Sequence, residues 1–111
     1  VALSALGTEW SAALSTFVGR GGVVVVLDTA SASNGGTHQV LEPAGLFTAT
    51  GVTDVSRTTM SVVAPGDSIA AGVPLSYRGE RTTVRFTTTA ATVVIADPTG
   101  AAVVVHRTIT P

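Results

Sequence analysis

The chain of 111 residues has a formal net charge of −1, a hydrophobic content of 45% and no cysteine. Its length and apolar content predict a single folded domain over residues 1–111 and exclude a disordered chain. Its apolar runs fall well short of the ~20 residues of a transmembrane helix, and its near-zero charge provides no basic surface. We therefore expect neither membrane insertion nor nucleic-acid binding. The absence of cysteine excludes disulfides, thiolate nucleophiles and sulfur-ligated metals.

The two ends of the chain suggest that it belongs to a longer protein. Neither an initiator methionine nor a signal peptide precedes Val1, and a strong strand pattern runs almost to Pro111. We therefore expect a processed form or a fragment. The Thr/Ser-rich composition, in which all basic residues are arginine, favours a secreted or cell-envelope protein, although composition alone leaves the compartment open.

A stripe of apolar residues near the N-terminus predicts an amphipathic helix over residues 8–18. Thr8 is the expected N-cap, and Gly19 is the expected left-handed residue that ends the helix. Trp10 lies within the stripe, so we expect it to pack in the core. The stripe consists of Leu6, Trp10, Ala13, Leu14, Phe17 and Val18.

The run Val23–Leu27, followed by Asp28, is the strongest strand pattern in the chain. Consecutive β-branched residues without polar alternation indicate a strand covered on both faces, which is typical of a parallel strand in an α/β fold. Ligands of such sheets bind beyond the carboxyl ends of the strands. Asp28 and the loop after it therefore occupy the expected position of a site.

The remainder of the chain is predicted to be mostly extended. Thr37 is a plausible cap for a second short helix, which Pro43 limits to its first turns. Residues 52–63 read as extended, and Pro65–Gly72 as a single helical turn. The runs Thr92–Ala96 and Ala102–His106 flank a tight turn, so they predict an antiparallel hairpin.

Three segments carry a resemblance to a known family. Ala13–Gly22 leading into the valine run, Ala64–Pro74, and Val103–Arg107 resemble the class I glutamine amidotransferase-like, flavodoxin-like superfamily, especially its trehalose-utilisation-type branch. The resemblance implies a small three-layer flavodoxin-like sheet, with a central buried parallel strand at residues 23–28 and the hairpin near the C-terminus. The family's opening strand and helix have no counterpart here, so the chain would be a partial domain.

The resemblance also implies where a site would lie. Catalytic members of the superfamily place a nucleophilic cysteine on the turn after the central strand. Here that turn holds Asp28-Thr29-Ala30, and the chain has no cysteine. Amidotransferase chemistry is therefore excluded, and the resemblance implies only a scaffold and a position.

The predicted ligand-binding residues follow Val23–Leu27 and extend into the next helix. Hydroxyl groups, a flexible Asn-Gly-Gly backbone and helix N-terminal amides are suited to hold an anion or a sugar. The alternative is a solvated turn in which Asp28 caps backbone amides. The predicted set comprises Asp28, Thr29, Ser31, Ser33, Asn34, Gly35, Thr37 and His38.

A serine- or threonine-based catalytic arrangement is the first chemical alternative. Thr29 or Ser31 could serve as the nucleophile. His38 or His106 would then act as the base, oriented by Asp28. The chain lacks the Gly-x-Ser-x-Gly turn that exposes such a serine, which weighs against this arrangement.

A metal site is the second chemical alternative. His38 and Glu42 lie four residues apart and could hold a metal with His106 as a third ligand. Such a pair is more often a surface contact, and His106 is expected to be partly buried with a hydrogen-bonded ring nitrogen. We therefore assign no catalytic residue, no metal and no cofactor.

The lack of a complete catalytic set favours a non-catalytic module of a larger secreted or envelope protein. Such a module would bind a small polar ligand or a protein partner at the loop after Asp28. One alternative is a hydrolase-type enzyme that uses Asp28, His38 and Glu42. Another is a structural piece of a surface assembly, whose Thr-rich strand edges pair with neighbours.

Overall fold

The computed structural model describes residues 2–28 and 35–109. Within these residues, one α-helix, α1 (Leu3–Gly19), precedes a six-stranded sheet. Two short 3₁₀ helices, Thr37–Val40 and Ser68–Ala70, lie in the connections. The strands are β1 (Thr50–Val55), β2 (Thr59–Val62), β3 (Ser76–Arg78), β4 (Thr83–Thr87), β5 (Thr92–Ala96) and β6 (Ala102–His106).

The sheet has the order β1-β4-β6-β5-β2-β3, and every pair of neighbours is antiparallel. The expectation of an α/β, three-layer flavodoxin-like fold with a central parallel strand is therefore wrong. Antiparallel neighbours can be joined by short turns, whereas parallel neighbours need a crossover connection. All six strands lie between Thr50 and His106 and pair with one another.

Residues 23–28 were expected to form a buried central strand, and this prediction is also wrong. Val23, Val25 and Leu27 are 80%, 76% and 81% exposed. The segment belongs to none of the strand pairs in the described part of the chain. A β-branched run favours extended backbone, but burial requires neighbouring strands, and the sheet is assembled without this segment.

Helix α1 is longer than predicted and ends differently. It begins at Leu3, so Thr8 lies inside it and its hydroxyl donates to the carbonyl of Ser4 at 3.0 Å rather than capping the helix. At the C-terminus, the amides of Gly21 and Gly22 donate to the carbonyls of Val18 and Phe17. This is a Schellman motif, with Gly21 at φ +91° in place of the expected Gly19.

The apolar stripe of α1 does not form the core. Gly7 is the buried residue of the helix, whereas Trp10 and Phe17 are 47% and 54% exposed. The prediction of Trp10 as a core residue is therefore wrong. The helix approaches the first 3₁₀ helix through Gly7, where a Cβ would lie 2.6 Å from the carbonyl oxygen of Val40. Because glycine makes this close approach, the contact does not bury the large side chains of Trp10 and Phe17.

The core consists of two clusters supported by the sheet. The first contains Met60, Ala70, Val94 and Ile95, and the second contains Phe47, Phe86 and Ala102. Met60 and Val94 are almost completely buried, at 1% and 0% exposure. Strands β5 and β6 supply residues to both clusters, so the hairpin they form is the centre of the fold.

That hairpin confirms the sequence prediction, with strand bounds as expected. Thr92 pairs with His106 and Ala96 with Ala102, although the register shifts twice between these pairs. The amide of Gly100 donates to the carbonyl of Asp97 at 3.0 Å, and Gly100 has φ +85°. A glycine suits this position because other residues are strained at such φ values.

Asp97 is the buried acid of the hairpin turn, with a side chain that is 0% exposed. Its Oδ1 accepts from the Thr99 amide at 3.0 Å, the Thr99 hydroxyl at 2.6 Å and the Ala101 amide at 2.9 Å. Its Oδ2 accepts from Nη1 of Arg85 on β4 at 2.7 Å. The carboxylate therefore links the β5–β6 turn to a third strand.

These bonds determine the charge state of Asp97. Burial by itself opposes the ionised form. The hydrogen bonds from Thr99, Arg85 and the Ala101 amide outweigh burial and lower the pKa of Asp97 below its ordinary value. The carboxylate of Asp97 is therefore expected to be ionised in the folded protein at neutral pH.

Replacing Asp97 with asparagine is expected to lower the free energy of unfolding by about 2–4 kcal/mol, because the change leaves Arg85 opposite a neutral amide. Urea unfolding followed by circular dichroism measures the loss. Glu80→Gln is the matched control, since Glu80 is exposed and its substitution should change stability by less than about 0.5 kcal/mol. Equal effects of the two substitutions would contradict the assigned role of Asp97.

The lowered pKa of Asp97 also predicts how stability depends on pH. The unfolded chain binds this proton near the ordinary value of 3.8, and the folded chain only at lower pH. The stability from Asp97 is therefore complete above about pH 4 and is lost as the pH falls through the folded pKa. Urea midpoints measured between about pH 6 and pH 2 should fall less steeply for Asp97→Asn than for the unaltered chain. Parallel profiles would disprove this.

Candidate functional site

Asp28 is placed by the turn that follows α1. The Schellman motif reverses the chain at Gly21 and Gly22, and residues 23–27 then lead to Asp28. Its Oδ1 accepts a short hydrogen bond from the backbone amide of Thr37, at the start of the first 3₁₀ helix. The alternative prediction, that Asp28 caps a backbone amide, is confirmed. The predicted helix at Thr37 is present as a single 3₁₀ turn.

His38 can lie beside Asp28 because Gly36, two residues before His38, has no side chain. Gly36 has φ +95°, and a Cβ at this position would lie 2.6 Å from Cε1 and Nδ1 of His38 and 3.2 Å from Oδ1 of Asp28. Only glycine combines this backbone conformation with so close an approach. Gly36 therefore permits the contact between the imidazole and the carboxylate.

The imidazole of His38 lies between two carboxylates. Its Nδ1 is 3.7 Å from Oδ2 of Asp28, and its Nε2 is 3.3 Å from Oε1 of Glu42. The side chain of His38 is 6% exposed, whereas those of Asp28 and Glu42 are 21% and 37% exposed. The expected spacing of His38 and Glu42 thus brings them together, but around a buried imidazole rather than at the surface.

The rings of two phenylalanines, Phe47 and Phe86, pack against the imidazole of His38. The Phe47 ring meets it edge-on at a centroid distance of 5.7 Å, and the Phe86 ring lies at 6.0 Å with a tilt of 30°. Both phenylalanines belong to the second core cluster. His38 therefore connects the polar cluster to the apolar core, and its position depends on the sheet.

Two buried polar atoms in this cluster have no hydrogen-bond partner among the described residues. They are Nδ1 of His38 and Oγ1 of Thr37. The 3.7 Å separation between Nδ1 and Asp28 exceeds hydrogen-bond length. Such atoms are uncommon in folded proteins, because an unsatisfied buried polar group costs about 1–3 kcal/mol. They mark this cluster, which we call the His38 cluster (Asp28, Thr37, His38, Glu42), as the candidate site.

The structure brings together part of the predicted ligand-binding set. Asp28, Thr37 and His38 are in mutual contact, and Gly35 lies between Asp28 and Thr37 in the chain, with φ +83°. Thr29, Ser31, Ser33 and Asn34 lie outside the described residues. The proposed nucleophiles Thr29 and Ser31 therefore have no described geometry.

His106 does not join the His38 cluster. Its Nε2 forms a short hydrogen bond with Oδ2 of Asp67, which also accepts from the Ile69 amide at 3.0 Å through Oδ1. These two bonds, with the Ile69 amide as the larger contributor, lower the pKa of Asp67. The prediction of a partly buried His106 with a hydrogen-bonded ring nitrogen is confirmed, at 33% side-chain exposure.

Asp67 was not predicted as the partner of His106. The signal was present in Pro65-Gly66-Asp67-Ser68, where an aspartate precedes a helical turn. The proposed metal set of His38, Glu42 and His106 is not assembled, because the two imidazoles contact different carboxylates. Among the described residues, no group of three or more His, Cys, Asp or Glu side chains could hold a metal ion.

An open depression of about 400 Å³ borders His106. It is lined by Thr89, Ala90, Ala91, Thr92, His106, Arg107 and Thr108. Arg107 donates to the carbonyls of Gly45 and Leu46 at 3.0 and 2.9 Å, so its charge is already engaged. Threonine and alanine side chains at a shallow surface do not define a chemistry, and the His38 cluster remains the better candidate.

Comparisons of the chain with family models, curated proteins and solved structures found no significant match. The resemblance to the amidotransferase-like superfamily therefore stays a prediction, while the flavodoxin-like fold inferred from it is wrong. Across residues 2–28 and 35–109, no helix combines the length and apolar character needed to cross a bilayer.

Replacing Gly36 with alanine tests the packing of the site. Gly45→Ala is a matched control, since Gly45 also has a positive φ, of +69°, but open space around it. Gly36→Ala should lower the free energy of unfolding by about 1–3 kcal/mol more than Gly45→Ala, because its new Cβ also clashes with His38. Urea unfolding gives the difference, and the NMR signal of the His38 ring reports its displacement. Equal losses with an unmoved ring signal would contradict the described approach.

Proposed function

We propose that this chain is a non-catalytic binding module that holds a small polar ligand, rich in hydrogen-bond donors, at the His38 cluster. One observation carries the proposal: buried Nδ1 of His38 and Oγ1 of Thr37 have no partner among the described residues. A ligand that hydrogen-bonds to these atoms would recover the free energy lost by burying them.

The charge of the cluster selects the class of ligand. The carboxylate of Asp28 lies on one side of the His38 imidazole and that of Glu42 on the other. Carboxylates accept hydrogen bonds and repel anions. The Thr37 amide, which could otherwise hold an anion, already donates to Asp28. A hydroxyl-rich or ammonium-bearing ligand therefore suits this site better than the anion considered from the sequence.

The geometry of His38 favours binding over catalysis. A general base needs a ring nitrogen directed at the group from which it takes a proton. Nε2 of His38 instead faces Glu42 at 3.3 Å, and Nδ1, which makes no hydrogen bond among the described residues, lies 3.7 Å from Asp28. A hydrolase would need its nucleophile on a further side chain, and the candidates Thr29 and Ser31 lie outside the described residues.

NMR titration with three simple probes tests the proposal. Glucose supplies hydroxyl groups, ethylammonium supplies a cation, and inorganic phosphate supplies an anion. We expect glucose or ethylammonium to shift the Thr37 amide and His38 ring signals, and phosphate to leave them unchanged. Asp28→Asn should weaken that binding by about tenfold or more, because it removes the charge yet leaves an oxygen to accept from the Thr37 amide.

Asp67→Asn is the matched control, since it removes a carboxylate from the other histidine pair. Binding at the His38 cluster should be unaffected by this change. The proposal is overturned if none of the three probes moves the Thr37 and His38 signals up to about 100 mM, where even millimolar binding would be visible. It is also overturned if phosphate moves them as strongly as the other two.

A further inference from the structure

We propose that two copies of this chain associate by pairing residues 23–27 of each copy as antiparallel β-strands. This inference is independent of the ligand proposed above. It rests on the backbone of the segment, on its exposed side chains and on the placement of charge around it.

The backbone of residues 23–27 is available for pairing. In the described part of the chain, these residues take part in no strand pair and in no backbone hydrogen bond. Their side chains alternate between exposed and half-buried, which is the period of an extended strand. A row of free N–H and C=O groups on an extended segment is a template for another strand.

The segment is also held in place at both ends. Before it, the Gly22 amide donates to the carbonyl of Phe17 at 2.9 Å. After it, Asp28 accepts from the Thr37 amide. Because both ends are anchored, pairing would require less loss of conformational freedom than ordering a free segment.

The exposed side chains give the segment an apolar face. Val23, Val25 and Leu27 are 80%, 76% and 81% exposed, and they point to one side of the strand. Valine is among the residues enriched in strands, where such side chains pack against cross-strand neighbours. Residues 21–27 contain no charged side chain that would oppose association.

A second copy fits this segment because the segment is complementary to itself. Antiparallel pairing about Val25 places Val23 opposite Leu27 of the other copy, with all odd-numbered side chains on one face. In this register Asp28 faces Gly22. The two Asp28 carboxylates then lie about 20 Å apart, beyond the Debye length of about 8 Å. Parallel pairing would instead place them side by side.

The edges of the sheet are poorer partners than this segment. Edge strand β1 carries Asp54 and a register irregularity between Thr50 and Thr53. Edge strand β3 has three residues and ends at Arg78. Short strands, irregular register and charges all discourage pairing at an edge. Across residues 2–28 and 35–109, the capacity for strand pairing is therefore concentrated in residues 23–27.

The expected dimer is weak. A pair of five-residue strands forms about four to six backbone hydrogen bonds and buries less than the roughly 800 Å² per partner of a stable interface. Phe17 is 54% exposed and its ring lies against Gly22, so it adds apolar area beside the strand. We therefore expect a dissociation constant in the micromolar range, near 10–100 µM in order of magnitude.

Light scattering coupled to size-exclusion chromatography, from about 5 to about 500 µM chain, tests the proposal. The mass should rise from monomer towards dimer across this range. Val25→Lys and Val25→Pro should each weaken association at least tenfold, the first through charge and the second by removing an N–H. Because Val25 is exposed, both variants should keep the circular dichroism spectrum of the unaltered chain.

Val63→Lys is the matched control, since Val63 is 54% exposed but lies beside β2. It should dimerise like the unaltered chain. Hydrogen exchange at high concentration should slow at the amides of residues 23–27. The proposal is overturned by a monomer at every concentration, by a dimer that both Val25 variants retain, or by slowed exchange at β1 or β3 instead.

Discussion

The buried carboxylate of Asp97 is the constraint on which the sheet depends. Its side chain is fully buried, and a buried charge is tolerated only when its oxygens are hydrogen-bonded. Oδ1 is used by the turn itself and Oδ2 by Arg85 of β4, so the carboxylate joins the hairpin to a third strand. Phe86 follows Arg85 and points to the opposite face of β4, where it contacts the ring of His38. The candidate site therefore packs against β4, the strand that Asp97 joins to the β5–β6 turn.

The N-terminal part of the molecule contacts the rest of it mainly through the first 3₁₀ helix, Thr37–Val40. Gly7 packs against the carbonyl of Val40, and Asp28 holds the Thr37 amide. Large apolar side chains of this part, Trp10, Phe17 and Leu27 among them, remain exposed. Both proposals concern this junction, since the ligand site lies where the segment ends and the pairing surface is the segment itself. Asp28 is common to the two, as a ligand-binding acid and as an anchor of the strand.

Local sequence signals were reliable for the β5–β6 hairpin and for Asp28, but not for the ends of α1. The β5–β6 hairpin was predicted with its strand bounds, because the turn residues and both apolar runs are contiguous in the chain. The contact of His38 with Glu42 follows from their spacing, and the capping role of Asp28 was among the alternatives considered. The pairing of His106 with Asp67 was not predicted, since 39 residues separate them. The burial of His38 against Phe47 and Phe86 also depends on contacts that no local pattern indicates.

The sequence by itself determined that residues 23–27 are apolar, that Asp28 follows them, and that the C-terminal runs form a hairpin. Backbone preference and turn chemistry act over a few residues, so they can be read directly from the chain. Only the tertiary structure decided which strands pair, because hydrogen bonding between strands is a property of the whole sheet. It joined β1 to β4 and β2 to β5, left the valine run outside, and placed His38 between two carboxylates over the core. A pattern typical of a buried parallel strand therefore lies in an exposed segment that pairs with none of the described strands.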